Sequence, residues 1–103
     1  SFGKKVYLQS SYEIRCANIL NEINIKWIRP TYLNYTSDQK RKYYPDFYLP
    51  DLNIYLDPKN QLLIQRNTHK INLVQEQNNI RVLILNNEQI NKIYLTNLCY
   101  GGV

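Results

Sequence analysis

Two aspartates and a lysine, Asp46, Asp57 and Lys59, are the residues of this chain whose types and spacing could do chemistry. They sit in two strand-like segments, 43–49 and 54–59, separated by the turn formers Pro50-Asp51-Leu52-Asn53. Closing these segments into an antiparallel hairpin sets Leu49 against Ile54, Tyr48 against Tyr55, Phe47 against Leu56 and Asp46 against Asp57. Side chains alternate along each strand, so Phe47, Leu49, Ile54 and Leu56 form one apolar face. The opposite face carries Asp46, Tyr48, Tyr55, Asp57 and Lys59, and this clean partition supports the register. Two carboxylates directly opposed, with Cβ atoms roughly 5 Å apart, repel each other. A hard divalent cation such as Mg²⁺ removes the conflict by taking carboxylate oxygens. Lys59, on the same face, is then placed to meet a phosphate or an attacking water. On this reading Asp57→Asn removes the metal-dependent chemistry yet leaves the metal-free protein as stable or slightly more so, because it only relieves repulsion. The plainer alternative is a surface hairpin with an Asp–Lys pair worth under ~1 kcal/mol.

The flanking sequence supplies elements to hold that hairpin. Ser10 as N-cap and Glu13 three residues on make a capping box, and Cys16, Ala17, Ile19, Leu20 and Ile23 follow at helical period. A helix is expected over 11–23, ending near Asn24. Ile25 to Arg29 reads as a strand stopped by Pro30, and Thr31 to Lys42 as a polar loop turning at Ser37-Asp38. Asn67 or Thr68 is expected to cap a helix to about Asn78. Ile80 to Leu85 is the clearest buried strand, and a last helix after Asn86-Asn87 carries Ile90, Ile93 and Tyr94. The expected order is α-β-β-β-α-β with an additional C-terminal helix, an α/β fold.

The chain has 103 residues, enough for one domain with a real core, and 44% of them are hydrophobic. No apolar run approaches the ~20 residues that cross a bilayer, and Ser1-Phe2-Gly3-Lys4-Lys5 lacks the apolar stretch of a secretion signal. The expectation is a soluble intracellular protein with no membrane partner. Methionine is absent, so the chain reads as processed or as a piece of something longer. Cys16 and Cys99 lack CxxC partners and, with His69, fall short of the four ligands of a structural zinc site. Both are expected reduced, with Cys16 in the core. A net charge of +5, from 13 basic and 8 acidic residues, is compatible with a polyanionic partner. Lys40-Arg41-Lys42 leads into the first site strand, where it either contacts phosphates or forms a solvated charge cluster. His69 reads as a helix-surface residue and Trp27 as core; Tyr48 and Tyr55 pair across strands or line the cleft.

These residues converge on a family. Pro45-Asp46 followed by Asp57-Pro58-Lys59 resembles the PD-(D/E)xK signature of a nuclease superfamily whose restriction-endonuclease-like core has a similar element order. Ser11-Tyr12-Glu13, Tyr44-Pro45-Asp46-Phe47-Tyr48-Leu49-Pro50 and Leu56-Asp57-Pro58-Lys59-Asn60 resemble phage-type homing endonucleases more closely. The resemblance implies hydrolysis of phosphodiester bonds in double-stranded DNA with Mg²⁺ or Mn²⁺. Asp46, Asp57 and the Pro58 carbonyl would hold the ion, Lys59 would act on water or phosphate, and Glu13 would complete the site. Glu13 has a second explanation in the capping box. The sequence departs from the common pattern twice: Asp57 stands where Glu is usual, and Pro58 where an apolar ladder residue is usual. The resemblance further implies a phage or mobile-element setting, and a homodimer or additional DNA-binding domain for target choice. Two alternatives stay open: a structure-specific or repair nuclease on the same fold, and a DNA-binding module with a dead site.

Overall fold

Helix α1 (Ser11–Glu22) follows the apolar stripe expected of it, with Cys16, Ala17 and Leu20 buried. In the computed structural model residues 11–59 and 61–101 are described, the stretch 61–67 by its backbone alone. The Ser10 cap therefore lies outside the described residues, as does Asn60; Asn67 is described only as backbone. Beyond the end of α1 the chain turns at Asn24, whose φ of 62° is the left-handed conformation asparagine tolerates. Ile25 N–H then donates to Leu20 C=O and Asn24 N–H to Asn21 C=O, the paired bonds of a Schellman stop.

The segment 25–29 pairs with the sheet at one point only. Ile28 and Tyr48 exchange both backbone hydrogen bonds, at 3.0 and 2.9 Å, with no ladder beyond them. The cause lies in the prolines. The next bonded pairs would join Lys26 to Pro50 and Pro30 to Asp46, and each includes a residue without an N–H.

The stretch 31–42, expected as a loop, folds into a hairpin. Strands β1 (Leu33–Thr36) and β2 (Lys40–Tyr43) pair antiparallel, Leu33 opposite Tyr43 and Thr36 opposite Lys40, around the anticipated turn at Ser37-Asp38. Its polar composition belongs mostly to one face: Tyr35 and Tyr43 on the other are buried, with the exposed Arg41 opposite Tyr35. The strand expected over 43–49 is thus split, because Tyr43 ends β2 and Pro45 interrupts the pairing before β3 (Phe47–Leu49).

β3 and β4 (Ile54–Pro58) adopt the register derived above, Phe47↔Leu56, Tyr48↔Tyr55 and Leu49↔Ile54. Asn53, at φ 54°, donates its N–H to Leu49 C=O and closes the loop. Helix α2 (Gln61–Asn78) begins earlier than the expected Asn67–Thr68, since Gln, Leu and Arg before that point are good helix formers. It crosses over to β5 (Arg81–Leu85), which lies parallel to β4 and completes a sheet of order β3-β4-β5. A 3-10 turn at Asn87–Gln89 and helix α3 (Lys92–Tyr100), capped by Asn91, follow. Ile90, expected on the last helix, precedes it and is buried, whereas Ile93 is 76% exposed and Leu95 takes the core position.

Both faces of the sheet are covered. Phe47, Leu49, Ile54 and Leu56 pack with Cys16, Ala17 and Leu20 of α1 and Leu95 of α3. Fully buried Phe47, Leu49 and Leu56 each contribute about 1.5–3 kcal/mol. Trp27 meets Phe47 edge-on, with ring centroids 4.9 Å apart. On the second face Tyr35 and Tyr43 of the hairpin join Ile71 and Val74 of α2 and Val82 of β5. Gln77 of α2 holds the hairpin by both amide atoms, accepting from Thr36 N–H and donating to Thr36 C=O at 2.7 Å each. Cys16 and Cys99 are free thiols; burial is the main cause that pushes Cys16 up to about 12, so it stays protonated. Among the described residues no helix is long and apolar enough to cross a membrane.

Candidate active site

Asp57 is the least ordinary side chain of β4: a carboxylate with no exposed surface. It belongs to the face expected to be open, but the β1–β2 hairpin and α2 cover that face. Tyr43, at the end of β2, donates its hydroxyl to Asp57 Oδ2. Lys59 Nζ stands 3.2 Å from Oδ1, close enough for charge pairing, yet among the described residues no donor is aligned on that oxygen. The expectation that Asp57→Asn costs no stability is therefore corrected: the carboxylate has structural partners that a solvent-facing hairpin would not supply.

Asp46 precedes β3 by one residue and meets Asp57 across the hairpin. Its carboxyl is pushed up to about 8, chiefly by burial, then by the charge of Asp57 and side-chain contact with it, then by Glu13; Lys59 acts in the opposite direction. The two carboxylates thus converge as the register required.

Arg29 ties this pair to α1. One guanidinium nitrogen is 3.3 Å from Asp46 Oδ1 and the other 3.2 Å from Glu13 Oε2. Glu13 is buried near Asp46 but is bridged to it through a cation. Among the described residues no group of three or more His, Cys, Asp or Glu side chains forms a metal cage.

Pro58, the departure from the common pattern, fits its place. Lys59 N–H donates to Leu85 C=O at 2.9 Å, so residue 59 bonds toward β5. By alternation the backbone of residue 58 is directed toward the β3 side, where the ladder has already ended at Phe47. Proline there forfeits no ladder bond, and its carbonyl is left on the side of Asp46. Two carboxylates in contact, a buried oxygen without a donor and a carbonyl outside the ladder form a donor set suited to a small oxygen-seeking cation.

No protein-family model and no curated protein sequence matches this chain.

Lys40, Arg41 and Lys42 are all exposed on β2, with Arg41 paired to Asp38 at 3.1 Å. His69 is exposed on α2, as expected. Three residues around the site escaped the sequence reading. Arg29 had a detectable signal, as the charge closing an apolar run before Pro30. Tyr43 joins the basic run to Pro45-Asp46, where its sequence position marks only the start of a strand. Lys70 had none: its ammonium lies 5.5 Å from the centre of the Tyr43 ring, a contact between distant parts of the chain. Burial first, then the charge of Lys59, lowers its pKa, against the pull of Asp57.

The raised pKa of Asp46 fixes the sign of a pH effect. Its folded value of about 8 lies above the ordinary 3.8, so the folded state holds the proton more tightly. That contribution is fully present below the ordinary value and is lost as pH rises toward 8. Thermal melts in EDTA should show wild type losing stability from pH 5 to pH 8 relative to Asp46→Asn. A parallel course for the two proteins would refute the assignment.

Proposed function

We propose that this protein is a metal-dependent DNA endonuclease on a restriction-endonuclease-like core, of the homing type its motifs resemble. The contact between Asp46 and Asp57, with Lys59 beside them, carries this reading. A second support is the chain path of α1, the Ile28 bridge, β3, β4, α2, β5 and α3. It parallels the α-β-β-β-α-β order, with the β1–β2 hairpin as an insert.

Asp46, Asp57 and the Pro58 carbonyl would hold Mg²⁺ or Mn²⁺. Such an ion supplies a Lewis acid for a phosphate oxygen and an acidified water. Lys59 stabilises charge developing on the phosphate or positions the attacking water. Tyr43, whose phenol is held far above its ordinary pKa by burial and then by the charge of Asp57, remains a donor and fixes the Asp57 carboxylate. Arg29 orients Asp46 and Glu13 together. The exposed Lys40, Arg41 and Lys42 would follow the backbone of double-stranded DNA. Reading a long target would draw on a second subunit or an additional DNA-binding domain.

The Arg29 bridge favours a second reading, a DNA-binding module without catalysis, because a guanidinium already compensates Asp46. Plasmid nicking separates the two. The proposal expects nicks with Mg²⁺ or Mn²⁺, none in EDTA and none from Asp46→Asn. Retained DNA binding without nicking in any divalent cation would establish the second reading instead.

A further inference from the structure

We propose that the outer face of the β1–β2 hairpin receives an unpaired nucleotide of the DNA, its base stacked on the more exposed Tyr44 with the tilted Tyr32 ring at its edge, and its phosphates met by Lys40 and Lys42. This rests on the DNA-binding part of the proposed function and not on catalysis. The ladder ends at Leu33↔Tyr43, and extending its register one step sets Tyr32 opposite Tyr44, whose rings are neighbours. Alternation then gives Tyr32, Asn34, Thr36, Lys40, Lys42 and Tyr44 one common face. All six are exposed, while Tyr35 and Tyr43 on the inner face fill the core.

The composition of that face points to its occupant. Tyr44 is 64% exposed and Tyr32 42%, with ring centroids 5.9 Å apart. Lys42 Nζ lies 4.4 Å from the centre of the Tyr32 ring. A cross-strand aromatic pair contributes only about 0.2–1 kcal/mol to a hairpin, and these rings cover none of the core. Exposed rings set among lysines match the two parts of a nucleotide, a flat base and an anionic phosphate. The bases of an intact duplex already stack on one another, so an accessible ring face selects one that is unpaired. Tyr44 lies on the face opposite Tyr43, which reaches Asp57, so this surface is separate from the candidate active site.

The test is binding of the full chain in EDTA to two labelled DNAs of the same sequence, an intact duplex and one with a short single-stranded flap. A 2-aminopurine in the flap reports stacking through its emission. Tyr32→Ala/Tyr44→Ala should lose roughly tenfold or more in affinity for the flap, the value of a stacked base, and under ~2-fold for the duplex. The wild-type quenching of 2-aminopurine should vanish in that variant and persist in Tyr44→Phe. Single Tyr44→Ala gives the same reading if the double variant melts early. Equal losses on both DNAs, no loss, or unchanged quenching would each overturn the proposal. Because no cutting is involved, a protein that binds the flap this way but never nicks refutes the catalytic reading alone. One that nicks normally with no tyrosine effect refutes this inference alone.

Discussion

Lys59→Met is expected to lower single-turnover DNA cleavage by at least ~100-fold, the usual loss when a positioned electrostatic stabiliser is removed. Affinity for DNA in Ca²⁺ should change far less, by about the contribution of one phosphate contact. The contrast arises because Lys59 is only partly exposed and lies 3.2 Å from Asp57, beside the carboxylate pair and not among the exposed basic residues of β2. Changing Lys40, Arg41 and Lys42 together to alanine should give the reverse pattern, with weaker binding and a shallower salt dependence. Lys59 also compensates a buried charge, so melts of the variant must establish that it is folded at the assay temperature. Cleavage at the normal rate once bound would reduce Lys59 to another basic contact.

The two aspartates should respond oppositely to amide substitution. Asp57→Asn takes the charge from a fully buried group that accepts the Tyr43 hydroxyl and faces Lys59. Losing a charge-assisted bond of this kind costs on the order of 2 kcal/mol. In a domain of this size that is a fall of roughly 10 °C in melting temperature. Asp46→Asn removes a carboxyl that burial and Asp57 already hold toward its neutral form, and Arg29 keeps Glu13. Its metal-free melting temperature at pH 8 should equal or exceed wild type, while both variants lose cleavage. If Asp46→Asn is the more destabilising, the carboxylate pair is a structural element and not a strained one awaiting a cation.

The hairpin at the centre of the site was legible because period-two alternation and a loop rich in turn formers admit one register. Phe47↔Leu56, Tyr48↔Tyr55 and Leu49↔Ile54 follow from these alone. What covers that hairpin was not legible. The stretch 31–42 looks like a loop because its outer face is polar, and only Tyr35 and Tyr43 belong to the core. Reading it so left Asp57 open to solvent and hid Tyr43 as its partner. The strand over 25–29 failed for another reason, since prolines remove the donors a ladder would need on either side of Ile28. Lys70 comes to the site through tertiary packing, which no local pattern records.

Anomalous diffraction from a crystal soaked in Mn²⁺ tests the central claim most directly. The account predicts a peak between the Asp46 and Asp57 carboxylates, on the side of the Pro58 carbonyl, and its loss in Asp46→Asn. A soaked crystal without that peak, at a Mn²⁺ concentration where the protein nicks DNA, would contradict it.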